Sequence, residues 1–210
     1  YWEEGDEAGA LWNFVQQTVL PWNTGRGTAT PLDEERLAVY DATGENVLSG
    51  QSGKSVKYNG KTYQLEAPER VEYKQNYGRI QAEYGEQLMD SEGYRMAGPE
   101  MRASMLKDLA SYEKAQADIR FLRSKGVEID PKSNAASAFK SAGKIDLAME
   151  RGIYIGDYLA VKYVKSQVGS VKDPISGKTI KDGNKRRVEE YMKQIGLTQD
   201  QIEFMQEVLY

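Results

Sequence analysis

Apolar positions recur at helical spacing through most of the chain. Ala8, Leu11, Trp12, Val15 and Val19 form one stripe that stops before Pro21, the pattern of an amphipathic helix. Residues 21–31, PWNTGRGTATP, combine prolines, glycines and threonines and read as a loop or boundary. Thr30-Pro31 then places an N-cap before a proline at the first helical position, opening a short helix that Gly44 closes. Tyr73, Tyr77, Ile80, Tyr84 and Leu88 line one face of a longer helix, with Tyr94 just beyond it. A further helix from about Pro99 carries Met105, Leu109, Tyr112, Ile119 and Leu122 and is broken by Gly126 and Pro131. These two are expected to form an antiparallel pair.

The last third continues in the same style. One helix is expected through Phe139, Ala142 and Met149, and another through Tyr154, Tyr158, Val161 and Val168. Two more close the chain: one buries Val188, Tyr191, Met192 and Ile195 and ends at Gly196, and one starts at the capping box Thr198-Gln199-Asp200-Gln201 and carries Ile202, Met205 and Leu209.

Only one stretch alternates with period two. In SVKYNGKTYQL, Asn59-Gly60 is the preferred pair for a two-residue type I′ turn, which sets Tyr58 opposite Lys61, Val56 opposite Tyr63 and Ser55 opposite Gln64. Val56, Tyr58, Tyr63 and Leu65 then share one face, and Ser55, Lys57, Thr62 and Gln64 the other. A second hairpin is suggested more weakly near Gly177, with Val171 and Ile180 paired and Asp173-Pro174 starting the turn. The expected fold class is therefore mainly α, with helical hairpins, short helices and one or two small β-hairpins. Three regions are expected: 1–30 (helix and linker), 31–131 (helix, β-hairpin, helical pair) and 132–210 (helical module with a second turn or hairpin).

Composition narrows the chemistry. The chain holds no histidine and no cysteine, which excludes Cys/His zinc sites, thiolate nucleophiles and Ser-His-Asp triads. Charged residues are 29% against 40% hydrophobic, with a net charge of -4, a balance that suits a folded protein rather than a disordered acidic or a wholly basic one. No apolar run approaches the roughly 20 residues of a membrane-spanning helix. The start at Tyr1-Trp2 and the end inside an apolar-periodic segment suggest a piece of a longer polypeptide.

The motifs that could carry chemistry are incomplete. Gly60-Lys61-Thr62 and Gly177-Lys178-Thr179 match the tail of a phosphate loop. The first glycine of that loop is replaced by Ser55 in one copy and Lys172 in the other, so the backbone cradle for phosphate is not specified. Gly25-Arg26-Gly27 begins a dinucleotide fingerprint, but Thr30 stands at the third glycine and no strand precedes it. Asp173 and Ser176 miss calcium-loop spacing because Ile175 stands where an oxygen ligand is required. The pairs Glu3-Glu4, Glu34-Glu35 and Glu189-Glu190 read as solvated helix faces rather than the two carboxylates of a sugar cleft.

Neither a cofactor nor a catalytic residue is expected, and the chain is read as a non-enzyme. Residues 157–188 carry eight cations, Lys162, Lys165, Lys172, Lys178, Lys181, Lys185, Arg186 and Arg187, against Asp157, Asp173 and Asp182. Of these, Lys178, Lys181, Lys185, Arg186 and Arg187 are the candidates for contact with a partner or with DNA. The 14 tyrosines recur at helical spacing, where rings pack and hydroxyls reach water or a partner chain.

Read in order, ERLAVYDATGENVL, KSVKYNGKTYQLEAPERVEYKQNYG and LMDSEGYRMAGPEMRASMLKDLASYEKAQA resemble the recurrent region of very long structural proteins in tailed bacteriophages and prophages of Gram-positive bacteria, commonly tape-measure or minor tail proteins. Leu37 and Gly44, the Asn59-Gly60 turn, Leu65, Tyr94 to Arg102 and Tyr112 to Ala117 carry the likeness. GIYIGDYLAVK, KDPISGKTIKDG and VEEYMKQIGLTQDQ follow in similar order, so it spans about residues 30–210. Ala67-Pro68 after Leu65 departs from the pattern.

The resemblance implies a structural virion component, part of a long and mostly helical protein in the tail or particle interior. Such a component is assembled in the host cytoplasm and assists genome delivery. Its implied partners are tail tube, tail tip or portal proteins and further copies of itself. The alternatives are an internal or ejection protein of the head or portal region and, in a different class, a tail-associated wall-degrading enzyme. The matched motifs are turns, caps and packing positions, so no catalytic residue carries over.

Overall fold

The computed structural model describes residues 30–47, 54–130, 137–169, 175 and 183–210. In chain order its elements are α1 (Pro31–Thr43), β1 (Ser55–Tyr58), β2 (Lys61–Gln64), α2 (Ala67–Asp90), α3 (Glu92–Arg95), α4 (Pro99–Ser124), α5 (Ser137–Glu150), α6 (Ile155–Gln167), α7 (Gly183–Gln194) and α8 (Gln199–Leu209). Among the described residues the fold is mainly helical with one small antiparallel hairpin. The stripe at residues 8–19 and the weaker hairpin through Val171 and Ile180 lie outside the described residues.

Helix ends are set locally. Thr30 accepts the Asp33 N–H at 3.2 Å while Asp33 accepts the Thr30 N–H at 3.1 Å, so two donors that the first helical turn leaves unpaired are satisfied reciprocally. Gly44 closes α1 at φ 68°, its N–H donating to Tyr40 O. At α8 the same box joins Thr198 and Gln201, and the Gln201 amide also donates to the carbonyls of Arg151 (3.1 Å) and Gly152 (3.2 Å). The cap therefore fixes where α8 begins and fastens it to the turn between α5 and α6. Thr198→Ala is expected to cost about 1 kcal/mol, read as a lower midpoint in urea unfolding.

The long helices α2 and α4 run antiparallel. Glu69 near the start of α2 pairs with Lys125 just beyond α4. Tyr73 donates to Asp118 at 2.7 Å, and Tyr84 meets Tyr112 edge-on at 4.9 Å. The hairpin packs at the early end of this pair, burying Val56, Tyr58 and Leu65 with Tyr73, Tyr77, Ile80, Phe121 and Leu122. Tyr58 also stacks on Phe139 of α5 at 5.8 Å and accepts the Asp130 N–H at 2.8 Å.

The larger core cluster draws Leu32 and Val39 from α1, Leu88 from α2, and Met105, Leu106 and Leu109 from α4. It continues through Ala148, Ile155, Leu159, Val188, Met192, Ile202 and Met205 of α5 to α8. Residues from both sides of position 131 contribute to this cluster. Helices from both sides bury their stripes against each other, because none of the short later helices has enough apolar area to be stable alone.

One local reading gains detail and one differs from the spacing-based reading. Tyr94 lies in its own short helix α3, whose N-cap Ser91 accepts the Tyr94 N–H at 3.2 Å. Tyr154 is the N-cap of α6 and stays 52% exposed. The buried face of α6 is instead built by Ile155, Tyr158, Leu159 and Val161, since Gly152 turns the chain at φ 73° and Ile153 already enters the core.

Candidate functional site

The Gly60-Lys61-Thr62 motif belongs to the hairpin. β1 and β2 pair Ser55 with Gln64, Val56 with Tyr63, Lys57 with Thr62 and Tyr58 with Lys61. Asn59 (φ 47°) and Gly60 (φ 72°) both lie in the left-handed region, as a type I′ turn requires. Lys61 and Thr62 sit exposed on the returning strand, where the backbone pairs with β1 instead of wrapping a phosphate. Gly60→Ala is expected to lower stability by about 1 kcal/mol, because a Cβ is disfavoured at that φ even though nothing crowds it. Lys61→Ala should change little, and urea midpoints of the two variants compare them directly.

Of the five cations singled out for partner or DNA contact, Lys185, Arg186 and Arg187 are exposed in the first turns of α7. Lys178 and Lys181 lie outside the described residues, as do Lys172 and the second Gly-Lys-Thr. The fold divides the remaining basic residues. Lys162 is engaged by Asp108 at 2.8 Å, whereas Lys165 of α6 and Lys185 of α7 converge on the Tyr210 ring at 4.3 and 5.2 Å. Asp157, counted as an opposing surface charge, is buried.

At its start α7 carries charge against its dipole, whereas Lys193 in the last turn suits it. Lys185, Arg186 and Arg187 precede Glu189 and Glu190, and the first turn holds no acidic residue. Cations there face the positive end of the helix, an arrangement that costs roughly 0.3–1 kcal/mol per charge at low salt. Glu189 is already paired with Lys193 at 2.6 Å and accepts from Gln206 at 3.2 Å. The Lys193 ammonium beside it holds its carboxyl below the usual carboxylate range, and Arg186 adds a smaller push in the same direction.

The polar groups inside the protein form ties between elements. Arg36 of α1 donates to both Glu113 oxygens of α4 at 3.3 and 3.1 Å, and Gln81 of α2 reaches the same carboxylate at 3.5 Å. Burial pushes the Glu113 carboxyl up, against the opposing pull of Arg36. Tyr94 donates to Glu35 at 2.8 Å, and Arg102 bonds Glu35 at 3.1 Å while lying over the Tyr94 ring. Glu35 is therefore a packing residue, unlike the solvated role expected for the Glu34-Glu35 pair. Tyr112 donates to Asp146 at 2.6 Å, with the Gln116 amide on the same carboxylate at 2.9 Å. Asp157 of α6 accepts the Gly93 N–H of α3 at 2.7 Å.

Desolvation raises the Tyr94 and Tyr112 phenols, reinforced by the carboxylates they bond, and brings Tyr158 and Tyr191 to about 12. These phenols remain protonated at neutral pH, and Tyr94 and Tyr112 act as donors. One signal for such ties is visible in the chain: Arg36 falls on the apolar stripe Leu32-Arg36-Val39, and a cation there needs a buried partner.

Among the described residues, no group of three or more acidic side chains is gathered as for a metal ion, and no helix is long and apolar enough to cross a membrane. The chain matches no protein-family model, no curated protein and no solved structure. What the described residues define is a class: a mainly helical fold with one small β-hairpin among them, whose interior carboxylates serve as cross-links between helices.

Proposed function

We propose that this chain is a structural component of a tailed-phage virion, a region of a long tape-measure or minor tail protein that works through protein contacts and assists genome delivery. The observation that carries the reading is the order of its landmarks: a Gly-terminated helix, a hairpin turning on Asn59-Gly60, and the antiparallel pair α2 and α4, in the order of the motifs that resemble that family. Support also comes from the interior, where Glu35, Glu113, Asp118, Asp146 and Asp157 each hold a partner from another element. Carboxylates used in this way rigidify a packing unit. As a virion component it is assembled in the host cytoplasm with tail or portal proteins and with copies of itself, without a cofactor or catalytic residue of its own.

The test is location. Purified particles from a strain encoding the parent chain are probed by mass spectrometry and by antibodies against residues 31–210, and the label is expected along the tail or at its tip. Label confined to the head or portal would favour an internal ejection protein instead. Cleavage of peptidoglycan or turnover of a nucleotide by residues 1–210 would overturn the structural reading altogether.

A further inference from the structure

The Asn59-Gly60 turn sets the register of the hairpin, and it is also a chemically reactive pair. Asn59 is the only asparagine of the chain followed by glycine, and both residues are exposed. A glycine in second place leaves its backbone nitrogen open to approach, since no Cβ stands beside it. Around Gly60 nothing lies within 4 Å of the position a Cβ would take. The ladder closes at Tyr58 and Lys61, so the Gly60 amide takes no part in it. What restrains the pair is the turn. Bringing the Gly60 nitrogen to the Asn59 side-chain carbon requires rotation about the Asn59 Cα–C bond, and the paired strands hold that residue in the left-handed region at φ 47°.

We propose that Asn59-Gly60 is a spontaneous modification site gated by the hairpin, and that its isoaspartate product keeps the hairpin open. In the opened hairpin the Gly60 amide gives its proton to hydroxide or water, and its nitrogen attacks Asn59 Cγ. The Cγ–Nδ2 bond breaks, ammonia leaves, and a cyclic imide remains. Water then adds at one of the two imide carbonyls. Addition at Cγ gives aspartate on the normal main chain; addition at the backbone carbon gives isoaspartate, whose main chain runs through Cβ and Cγ.

The two products differ in what they do to the fold. Aspartate suits the turn, because Asp-Gly also accepts two successive left-handed positions. Isoaspartate adds a methylene to a connection built for two residues, and Tyr58 and Lys61 then cannot pair again in register. That register is what turns Val56, Tyr58 and Leu65 together onto α2 and α4, so its loss uncovers the apolar surface beneath them. The inference is independent of the virion reading, because it rests on the chemistry of the turn and the packing of the hairpin alone.

The test is peptide mapping of the full 210-residue chain during incubation at mildly alkaline pH, which detects exchange of the side-chain amide for a hydroxyl and separates aspartyl from isoaspartyl peptides. Asn59 is expected to convert well ahead of Asn46 and Asn76, whose next residues are Val47 and Tyr77. Tyr58→Phe keeps the ring on Phe139 but removes the acceptor of the Asp130 N–H. Opening then becomes easier, and conversion should quicken about two- to tenfold, the factor one net hydrogen bond is worth. The isoaspartyl form, separated by its extra negative charge, should exchange the Leu65 amide faster than the parent, in which that amide donates to Lys54 O at 2.9 Å. Asn59→Asp carries the same charge on a normal main chain and should keep the Leu65 amide protected.

Equal conversion of Asn59, Asn46 and Asn76 would overturn the proposal, as would a rate untouched by Tyr58→Phe. A Leu65 amide as protected in the isoaspartyl form as in the parent would overturn it too. Asn59→Asp exchanging as fast as the isoaspartyl form would assign the opening to charge rather than to the added methylene, with the same consequence.

Discussion

Arg36→Met alone is expected to destabilise the fold by about 3–5 kcal/mol, seen as a large drop in urea midpoint, while Arg36→Met combined with Glu113→Leu should recover most or all of that loss. Both side chains are essentially fully buried, at 1% and 0% exposure. Removing the guanidinium leaves the Glu113 carboxylate in the core with only the Gln81 amide, at 3.5 Å, to hold it. Against a total stability of some 5–15 kcal/mol for a natural domain, this single change approaches the limit of folding. Removing both partners discards two desolvation penalties together, and Arg36 Nε has no hydrogen-bond partner among the described residues, so its desolvation goes uncompensated even in the intact pair.

The pH dependence should follow. Because burial raises the folded pKa of Glu113, its contribution is fully present below the ordinary glutamate value and is lost as the pH climbs through the raised one. Stability curves of the wild type should therefore fall across that window relative to the double variant. A double variant as unstable as Arg36→Met would show instead that the ion pair itself, and not the avoidance of a lone charge, holds α1 in place.

The second large effect concerns Gly156 in the first turn of α6. A Cβ there would lie 1.9 Å from Ser91 Oγ and 2.8 Å from the Leu88 carbonyl oxygen, both at the junction of α2 and α3. Ser91 is locked in place, donating to Leu88 O at 2.7 Å and accepting the Tyr94 N–H. Gly156→Ala must push the helices apart, and Asp157, the next residue, would lose its 2.7 Å bond to the Gly93 N–H. The expected cost is about 3 kcal/mol, at the upper end of ordinary overpacking because a buried hydrogen bond is lost as well. Adding Ser91→Gly should recover only part of it, since the Leu88 carbonyl is backbone and stays. Gly143→Ala, on the next helix back, meets nothing within 4 Å and serves as a control that should be neutral or slightly stabilising. A thermal melt of Gly156→Ala indistinguishable from that control would refute the close crossing.

How much of this was legible in the chain depends on the range of the interaction. The hairpin register follows from Asn59-Gly60 and the alternation on either side, because a two-residue turn leaves only one pairing. The boundaries at Thr30, Gly44, Thr198 and Gly196 follow from side chains acting on backbone groups a few residues away. The charge block at Lys185 to Arg187 was equally plain as composition. Its placement against the positive end of the α7 dipole became visible only once the start of the helix was placed at Gly183. Tyr154 shows the limit of periodicity: its spacing fits the α6 stripe, yet the turn at Gly152 moves the start of the helix and leaves Tyr154 half-exposed at the cap.

By itself, then, the sequence determined the helical class, the one clear hairpin, the caps and the absence of thiol and imidazole chemistry, since each depends on residue identity or on neighbours within a turn or two. Tertiary structure alone decided that Arg36 would meet Glu113 from 77 positions away, that Gly156 would press against Ser91, and that Asp157 would cap a four-residue helix 64 positions earlier. Those contacts join elements whose spacing in the chain carries no record of their approach. They arise because several short helices, each with too little apolar area to stand alone, reach stability only by sharing one core, and the polar groups caught in that core must then find partners wherever the packing brings them.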